Sequence, residues 1–274
     1  MARQATGGHG DARSRRACER GGVRWTGRPR GASVAKVLRI LHRDDLVLAI
    51  DKPAGLSTTP GRGREGEPAL SRLVREIAPD ALPVHRLDRD TSGVVLFGLG
   101  TEAHRALNAV FESRRAEKMY FALVRGDLDS ERRCEERLAA GRRGTMRVAR
   151  SGEGLEARTD VAPLERFGSF TACACRPRTG RTHQVRVHLA VLGHPLAVDP
   201  RYGEPGPVLR RDLDPRADRP EEPALVRTPL HASSLRVPHP SGRGFLLVEA
   251  PLPADLAGSL DLLRAARRSG NAAT

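Results

Sequence analysis

Short apolar runs separated by polar, glycine-rich segments recur along the chain and predict a series of β-strands. They are Val37–Leu41, Leu46–Ile50, Gly93–Phe97, Met119–Val124, Phe170–Cys175 and Phe245–Glu249. Three other segments carry apolar side chains every three or four residues and predict helices, namely 70–77, 103–110 and 256–263. Strands and helices do not alternate as βαβ units would. The pattern therefore predicts an α+β fold with a mixed or antiparallel sheet and helices packed on it.

The first 36 residues differ from the rest, because eight arginines and Lys36 face only Asp11 and Glu19 and no apolar periodicity is present. We interpret residues 1–36 as a disordered basic tail, which either contacts an anionic partner nonspecifically, is a passive extension or reflects the choice of start site. One domain over residues 37–265 follows, and we expect residues 266–274 to be a flexible C-terminus. Two polar, charged segments predict surface loops within this domain, Ser130–Glu156 and Gly203–Thr228.

Charge narrows the possible partners. The formal charge of +14 and the pI near 11.1 favour a polyanion, RNA or DNA, although an arginine-rich composition without any specific partner would give the same value. No apolar stretch reaches the roughly 18 residues of a membrane span, so we expect no membrane partner. The four cysteines form no CxxC pair and no secretory signal is present, which predicts a reduced, cytoplasmic protein.

The densest polar cluster is His85–Gly93, which directly precedes the apolar strand beginning at Val94 and indicates a site at a loop. Asp88 and Asp90 are too close in sequence to flank a sugar as a glycosidase acid and base would. The alternative interpretation is a polar turn, in which side chains satisfy loop amides. We adopt it for Asp90, Thr91 and Ser92 and not for Asp88.

Asp88 is set apart because residues 85–93, HRLDRDTSG, resemble the HRLDxxTSG signature of the RluA-like RNA pseudouridine synthases at every fixed position. Residues 180–188, GRTHQVRVH, resemble the family's GRTHQ(I/L)RVH motif. Residues 51–56, DKPAGL, resemble its NKPAGL loop, with Asp51 in place of Asn. Further agreements, KMYFA at 118–122 and DPRYG at 199–203 among them, keep the family's order. The resemblance spans about residues 38–256.

The resemblance implies the pseudouridine synthase catalytic fold, with a mixed, largely antiparallel sheet, flanking helices and a central active-site cleft. It implies an isomerase that breaks the N1–C1′ bond of uridine, turns the uracil and joins C5 to C1′. No redox change or energy input is involved, so we expect no cofactor and no metal. Histidines 85, 183 and 188 lack the HExxH spacing of a zinc site. The expected partner is structured RNA, ribosomal or transfer, and the expected state is a monomer.

The resemblance also assigns site residues. Asp88 is the implied catalytic carboxylate, acting as a nucleophile or as a base, and Arg186 is its implied basic partner. Tyr120 is the implied platform for a uracil flipped out of its stack. The other implied substrate-binding residues are Arg86, which would fill the vacated stack, and His85, Arg181, Thr182, His183 and Gln184.

Purely structural roles are the alternatives to these assignments. Arg186 would otherwise be an exposed helical arginine, and Tyr120 would be a core aromatic of its strand. We expect Thr182 to N-cap a helix that runs to Gly193, although alternating apolar residues there would also suit a strand. Two other functions remain open at this point, a noncatalytic basic RNA-binding protein and a carboxylate-dependent nucleoside hydrolase. Turnover of free uridine, as opposed to RNA, distinguishes the hydrolase.

Overall fold

The computed structural model describes residues 38–61 and 67–271, so the predicted basic tail, residues 1–36, lies outside the described residues. Fourteen strands are present in the described ranges: β1 Arg39–Arg43, β2 Val47–Lys52, β3 Ala81–Pro83, β4 Ser92–Leu99, β5 Glu117–Arg125, β6 Arg132–Cys134, β7 Leu138–Ala140, β8 Met146–Val148, β9 Thr159–Arg166, β10 Phe170–Pro177, β11 Val208–Leu209, β12 Pro223–Leu225, β13 Leu230–Pro238 and β14 Phe245–Glu249. The helices there are α1 Leu70–Arg75, α2 Gly100–Glu112, α3 Gln184–Val191, α4 Arg210–Leu213 and α5 Ala254–Asn271.

Ten of these strands form one mixed sheet, in which β1-β2-β4-β13-β5-β10-β9-β6 are successive neighbours, β14 pairs with β13 and β3 pairs with β4. The pair of β4 and β13 is parallel, and the other pairs of this sheet are antiparallel. The predicted α+β fold with a mixed, largely antiparallel sheet is confirmed.

The parallel pair fixes the start of β4. Gly93 lies opposite Ala232 and has a φ of +111°, and a Cβ on Gly93 would lie 2.2 Å from the Ala232 carbonyl oxygen. Only glycine fits here, because both the backbone conformation and the contact exclude a side chain. The end of the polar segment 85–93 is thereby tied to the middle of the sheet.

Burial on both faces explains why the strands are continuous apolar runs. Leu48 and Ile50 of β2 pack with helix α1 in one cluster, whereas Val47 and Ala49 pack in another with Leu107 of α2. A strand covered on both faces gains from apolar residues at every position, not at alternate positions. The remaining sheet, β5 and β10, is covered by α3 on one face and by α5 on the other.

Strands β9 and β13 and the elements within Gly203–Thr228 were absent from the sequence prediction. Strand β13 was missed because two serines interrupt its apolar pattern and a register shift falls between Ala232 and Ser234. The segment Gly203–Thr228, predicted to be a surface loop, contains β11, α4 and β12. Its apolar residues Val208, Leu213 and Leu225 are buried against α5, so this prediction was wrong. The three contacts come from residues far apart in the segment and show no periodicity.

The predicted domain end at residue 265 falls inside helix α5, which continues to Asn271. The later turns are tied down by Arg264, which forms an ion pair with Glu165, and by Arg267, whose guanidinium lies 5.0 Å from the Phe167 ring centre. Residues 272–274 lie outside the described residues.

The segment Ser130–Glu156 also contains short strands, β6 to β8, with Leu138 fully buried. Within the described ranges, no helix has the length and apolar character required to cross a membrane.

Candidate active site

A cleft of about 500 Å³ opens between the 85–93 loop, strand β5 and the loop that leads into helix α3. Every site residue predicted from the sequence lines this cleft: Asp88, Arg186, Tyr120, Arg86, His85, Arg181, Thr182, His183 and Gln184. Residues about 100 positions apart in the sequence thus meet at one place. The geometry of each decides what it can do.

One end of the 85–93 loop is held by the 52–58 segment. Lys52 is fully buried, and its Nζ donates to three backbone carbonyls, those of Pro53, Leu56 and Arg89, at 2.9, 2.7 and 3.0 Å. Thr58 Oγ1 accepts a hydrogen bond from Leu87 N at 3.0 Å. Burial lowers the pKa of Lys52 to about 7. The three acceptors match the three N–H bonds of an ammonium, so the contacts favour the charged form.

The other end of the loop is held by Arg227, which the sequence analysis did not single out. Its side chain is buried and donates to the Asp90 carbonyl oxygen at 3.1 Å and to Ser92 Oγ at 3.4 Å. Asp255, at the start of α5, accepts two hydrogen bonds from the same guanidinium at 2.6 and 3.0 Å. Arg227 therefore connects the loop to the C-terminal helix.

The side chains of the 85–93 loop do not form the polar turn that was expected. Ser92 Oγ lies 3.0 Å from His231 Nδ1, and Thr91 Oγ1 is buried without a hydrogen-bond partner among the described residues. The loop backbone is held instead by the 52–58 segment, where Thr58 Oγ1 accepts from Leu87 N and Gly55 N donates to the Arg89 carbonyl at 2.9 Å. The local sequence of the loop does not reveal these contacts.

Helix α3 is confirmed, but its start differs from the prediction. The N-cap is His183, with a φ of 53°, and no side chain caps the helix, so Thr182 is not the cap. The preceding turn is ordered by Gln184, whose Oε1 accepts from Arg181 N at 3.0 Å and from Thr179 Oγ1 at 2.6 Å. Its Nε2 donates to the Arg158 carbonyl and to Thr159. Because the whole amide is used internally, we interpret Gln184 as a positioning residue.

Arg186 connects two carboxylates. Its Nε and Nη2 donate to the two oxygens of Asp199 at 2.8 and 2.7 Å, and its Nη1 lies 3.3 Å from Asp88 Oδ2. Both Arg186 and Asp199 are buried, which contradicts an exposed helical arginine. Burial alone would lower the pKa of Arg186, but the bonds to Asp199 outweigh it and raise the pKa. The guanidinium therefore stays charged and faces Asp88.

His183 is the second group that faces Asp88, with Nε2 3.7 Å from Asp88 Oδ2. Its Nδ1 lies 2.7 Å from the Tyr202 hydroxyl, which already accepts a hydrogen bond from Met146 N at 2.7 Å. The hydroxyl is thus free to donate to Nδ1, which leaves the ring proton on Nε2, toward Asp88. Burial lowers the pKa of His183, so the neutral ring is the form expected near pH 7.

Tyr120 extends from β5 into the cleft and packs on one side against core residues. Burial raises the pKa of Tyr120, and the nearby Asp88 adds to the effect, so the phenol remains protonated at neutral pH. His85 is more constrained. Its Nε2 accepts a hydrogen bond from Leu96 N at 3.1 Å, its ring stacks on Phe111 at 5.0 Å, and burial lowers its pKa to about 3. We interpret neutral His85 as a positioning residue.

A family model described as RNA pseudouridylate synthase matches residues 46–191. The chain is 39% identical over 83% of its length to ribosomal large subunit pseudouridine synthase D of Nitrosomonas europaea, of which it covers 65%. It is 37% identical over 83% of its length to ribosomal large subunit pseudouridine synthase C of Escherichia coli K12, of which it covers 70%. The chain belongs to the RNA pseudouridylate synthase family.

Solved structures agree with this membership. Human RNA pseudouridylate synthase domain containing 1 superposes with a TM-score of 0.62 at 28% identity, over 83% of this chain and 95% of that one. Human RNA pseudouridylate synthase domain containing 4, at 23% identity and a TM-score of 0.67 over 82% and 92%, shares the fold. The predicted family, its fold and its class, the RNA pseudouridine synthase isomerases, are confirmed.

Two carboxylates line the cleft, Asp88 and Glu112. For a pseudouridine synthase, Asp88 is the candidate, because it faces a fixed cation, Arg186, and a neutral imidazole, His183. The side chain of Asp88 is 23% exposed, so it is accessible from the cleft. Arg86 and Thr182 are exposed at the cleft wall, and Arg181 donates through Nε to the Glu156 carbonyl at 3.0 Å. Two groups that orient the site, Asp199 and Tyr202, entered the sequence analysis only as part of the DPRYG segment.

Removing the buried amine tests how the loop is held. We expect Lys52→Met to lower the free energy of unfolding by about 3 kcal/mol, because three buried carbonyl groups lose their donor. Urea denaturation at pH 7 measures this. Lys118→Met is the matched control, since Lys118 Nζ donates a single bond, to the Thr179 carbonyl at 2.9 Å, and its loss should be smaller. Equal losses in the two variants would contradict the role given to Lys52.

Proposed function

We propose that this chain isomerises uridine to pseudouridine in ribosomal RNA, with Asp88 as the catalytic carboxylate. The observation that carries the proposal is the contact between Asp88 and Arg186 in a cleft that Tyr120 lines, at 3.3 Å from Nη1 to Oδ2. The choice of ribosomal over transfer RNA is supported by the names of the two curated relatives. A basic protein that only bound RNA would not need a carboxylate held in this way.

The reaction sets the requirements for the site. The N1–C1′ bond breaks, the C5–C1′ bond forms, and the proton from C5 is replaced by one at N1, so there is no net oxidation or reduction. Asp88 either attacks as a nucleophile or removes a proton from the sugar. Both routes begin with an ionised carboxylate, and a guanidinium in contact favours that form. Arg186 supplies this charge because Asp199 fixes its orientation.

The target uridine must leave its helix, since neither C1′ nor the ring face is accessible within a stack. Tyr120 provides an aromatic face in the cleft for the extruded uracil. Arg86 is exposed and has no described ion-pair partner, so its guanidinium is available to fill the vacated stack. One chain supplies Asp88, Arg186 and Tyr120, which supports a monomer. No step calls for a metal or cofactor, and we place the enzyme in the cytoplasm, where its substrate is made.

Removing the aromatic face should weaken the productive complex. We expect Tyr120→Leu to lower kcat/KM roughly 5- to 150-fold. This corresponds to a loss of about 1–3 kcal/mol of binding energy, the range for base stacking on aromatic side chains. Tritium release from uridine-labelled ribosomal RNA measures the rate. Phe245→Leu is the control, because Phe245 is an exposed aromatic that does not line the cleft. Similar rates for the two variants would argue against Tyr120 as the platform.

The function itself is tested with purified protein, large-subunit ribosomal RNA, transfer RNA and free uridine as separate substrates. We expect pseudouridine in the ribosomal RNA and none from free uridine. Turnover of free uridine to uracil and ribose would indicate a nucleoside hydrolase. Modification of transfer RNA alone would overturn the proposed substrate and leave the proposed reaction intact.

A further inference from the structure

A second cavity of about 500 Å³ lies on the sheet formed by β5, β10, β9 and β6. Among the described residues that line it are four arginines and two acidic residues: Arg132, Arg133, Arg176, Arg178, Glu131 and Asp160. We call this cavity the arginine groove. Its net positive lining indicates an anionic occupant.

The sheet register places the charges in a row. Asp160 of β9 pairs with Arg133 of β6 on one side and with Arg176 of β10 on the other. Directly paired residues point to the same face of a sheet. The floor beside this row is formed by small or flexible apolar side chains, those of Met119, Ala162 and Ala174. Tyr120 and Cys175, which follow Met119 and Ala174 in their strands, point to the opposite face, toward α3.

One carboxylate orients several guanidinium groups. Asp160 lies 2.9 Å from Arg133 Nε, 2.8 Å from Arg178 Nε and 3.5 Å from Arg158 Nε. Three cations therefore share one anion, although Arg158 also lies 3.5 Å from Glu135. Arg176 is exposed and has no ion-pair partner in the described part of the chain. The groove keeps unneutralised positive charge that is held in place on a rigid sheet.

The arginine groove and the active-site cleft lie on opposite faces of the sheet and adjoin at Arg178, which lines both cavities. A polyanion bound in the cleft can therefore pass around the end of β10 and across the row of arginines. No aromatic side chain lines the groove, so it offers no platform for stacked bases. Guanidinium groups without aromatic neighbours suit phosphates, which position a nucleic acid and carry no sequence information.

We propose that the arginine groove binds the sugar-phosphate backbone of the substrate RNA, in a region that flanks the target uridine. The inference rests on the proposed function for the identity of the RNA. Its consequence is that a long RNA is bound through contacts that an isolated target hairpin does not make. Base identity in the flanking region should not matter, provided that base pairing is kept.

Binding measurements over a salt series test the groove. The probes are a long fragment of large-subunit RNA that carries the modified uridine and the isolated hairpin around that uridine. For the double variant Arg133→Ala, Arg176→Ala we expect the magnitude of the slope of log affinity against log salt to decrease by roughly 1.4–1.8 on the long RNA. The ratio of wild-type affinity to variant affinity should therefore decrease roughly 7- to 12-fold between 50 and 200 mM salt. Binding of the hairpin should be unchanged.

Arg243→Ala is the matched control, since Arg243 is exposed, lines neither cavity and should leave both slopes unchanged. The proposal is overturned if the double variant matches this control, or if it weakens the hairpin and the long RNA equally. It is also overturned if polyglutamate displaces long RNA from the wild type as readily as competing RNA does, because the groove would then bind an acidic protein as well. All of these outcomes are measured by RNA binding and do not depend on activity. A wild type that binds with the expected slopes but makes no pseudouridine would defeat the proposed function alone.

Discussion

Asp88→Asn should reduce pseudouridine formation by roughly 10²-fold or more, because the amide keeps the shape of the side chain but lacks the charge that either route requires. Arg186 Nη1, 3.3 Å from Asp88 Oδ2, can still donate to the amide oxygen. Arg186 also retains its two bonds to Asp199. The fold and RNA affinity should therefore change little. Single-turnover rates with excess enzyme measure the chemical step, and filter binding measures the affinity.

Asp90→Asn is the matched control for this variant. Asp90 lies two residues away in the same loop, but its side chain does not line the cleft. The single-turnover rate of Asp90→Asn should therefore stay close to that of the wild type. If Asp88→Asn kept a tenth of the wild-type rate, the carboxylate would not be essential to the chemistry. If both variants were inactive, the loop conformation, not the charge of Asp88, would be the feature that matters.

Arg186→Met should have the second largest effect, a loss of roughly 10²-fold or more in the single-turnover rate, as for removal of a fixed electrostatic group in an active site. The variant also leaves Asp199, which is 1% exposed, without its cation. Breaking a buried ion pair in this way costs about 3–5 kcal/mol. Urea denaturation must therefore accompany the kinetics, with rates taken only where the variant is folded.

Arg186→Lys separates the charge from the geometry. Lysine restores a cation, but one ammonium cannot reproduce the two parallel bonds to Asp199 and also contact Asp88 as the guanidinium does. We expect stability to recover more than the rate, with a rate between those of Arg186→Met and the wild type. A wild-type rate in folded Arg186→Met would show that Arg186 is not the partner of Asp88. A wild-type rate in Arg186→Lys would show that the fork geometry is not needed.

The parts of the fold that were predicted correctly are those with strong local patterns. Strands β2 and β4 are continuous apolar runs because helices cover both faces, and helix α2 shows its spacing because one face is buried. Strand β13 was missed because its serines and register shift interrupt the pattern. The segment 203–228 was wrongly predicted as a surface loop, because its few buried residues depend on α5, which lies more than 25 residues further along the chain.

The site was predicted through a family resemblance and not through local patterns, and this explains what was missed. Asp88, Arg186 and Tyr120 lie in motifs with fixed spacing. Arg227 lies in a charged segment where nothing distinguishes it from its exposed neighbours, and its partners come from two distant elements. The roles of His85 and Gln184 are visible only when their hydrogen bonds are known, because a motif residue that orders a loop looks the same in sequence as one that binds substrate.

The central claim is tested most directly by mapping pseudouridine in large-subunit RNA from a deletion strain that expresses either the wild-type chain or Asp88→Asn. Carbodiimide-dependent primer extension locates each modified position, and immunoblotting confirms equal expression. We predict that at least one position lacks pseudouridine in the deletion strain, is restored by the wild type and stays unmodified with Asp88→Asn. Restoration by Asp88→Asn at the wild-type level would contradict the assignment of Asp88 as the catalytic carboxylate.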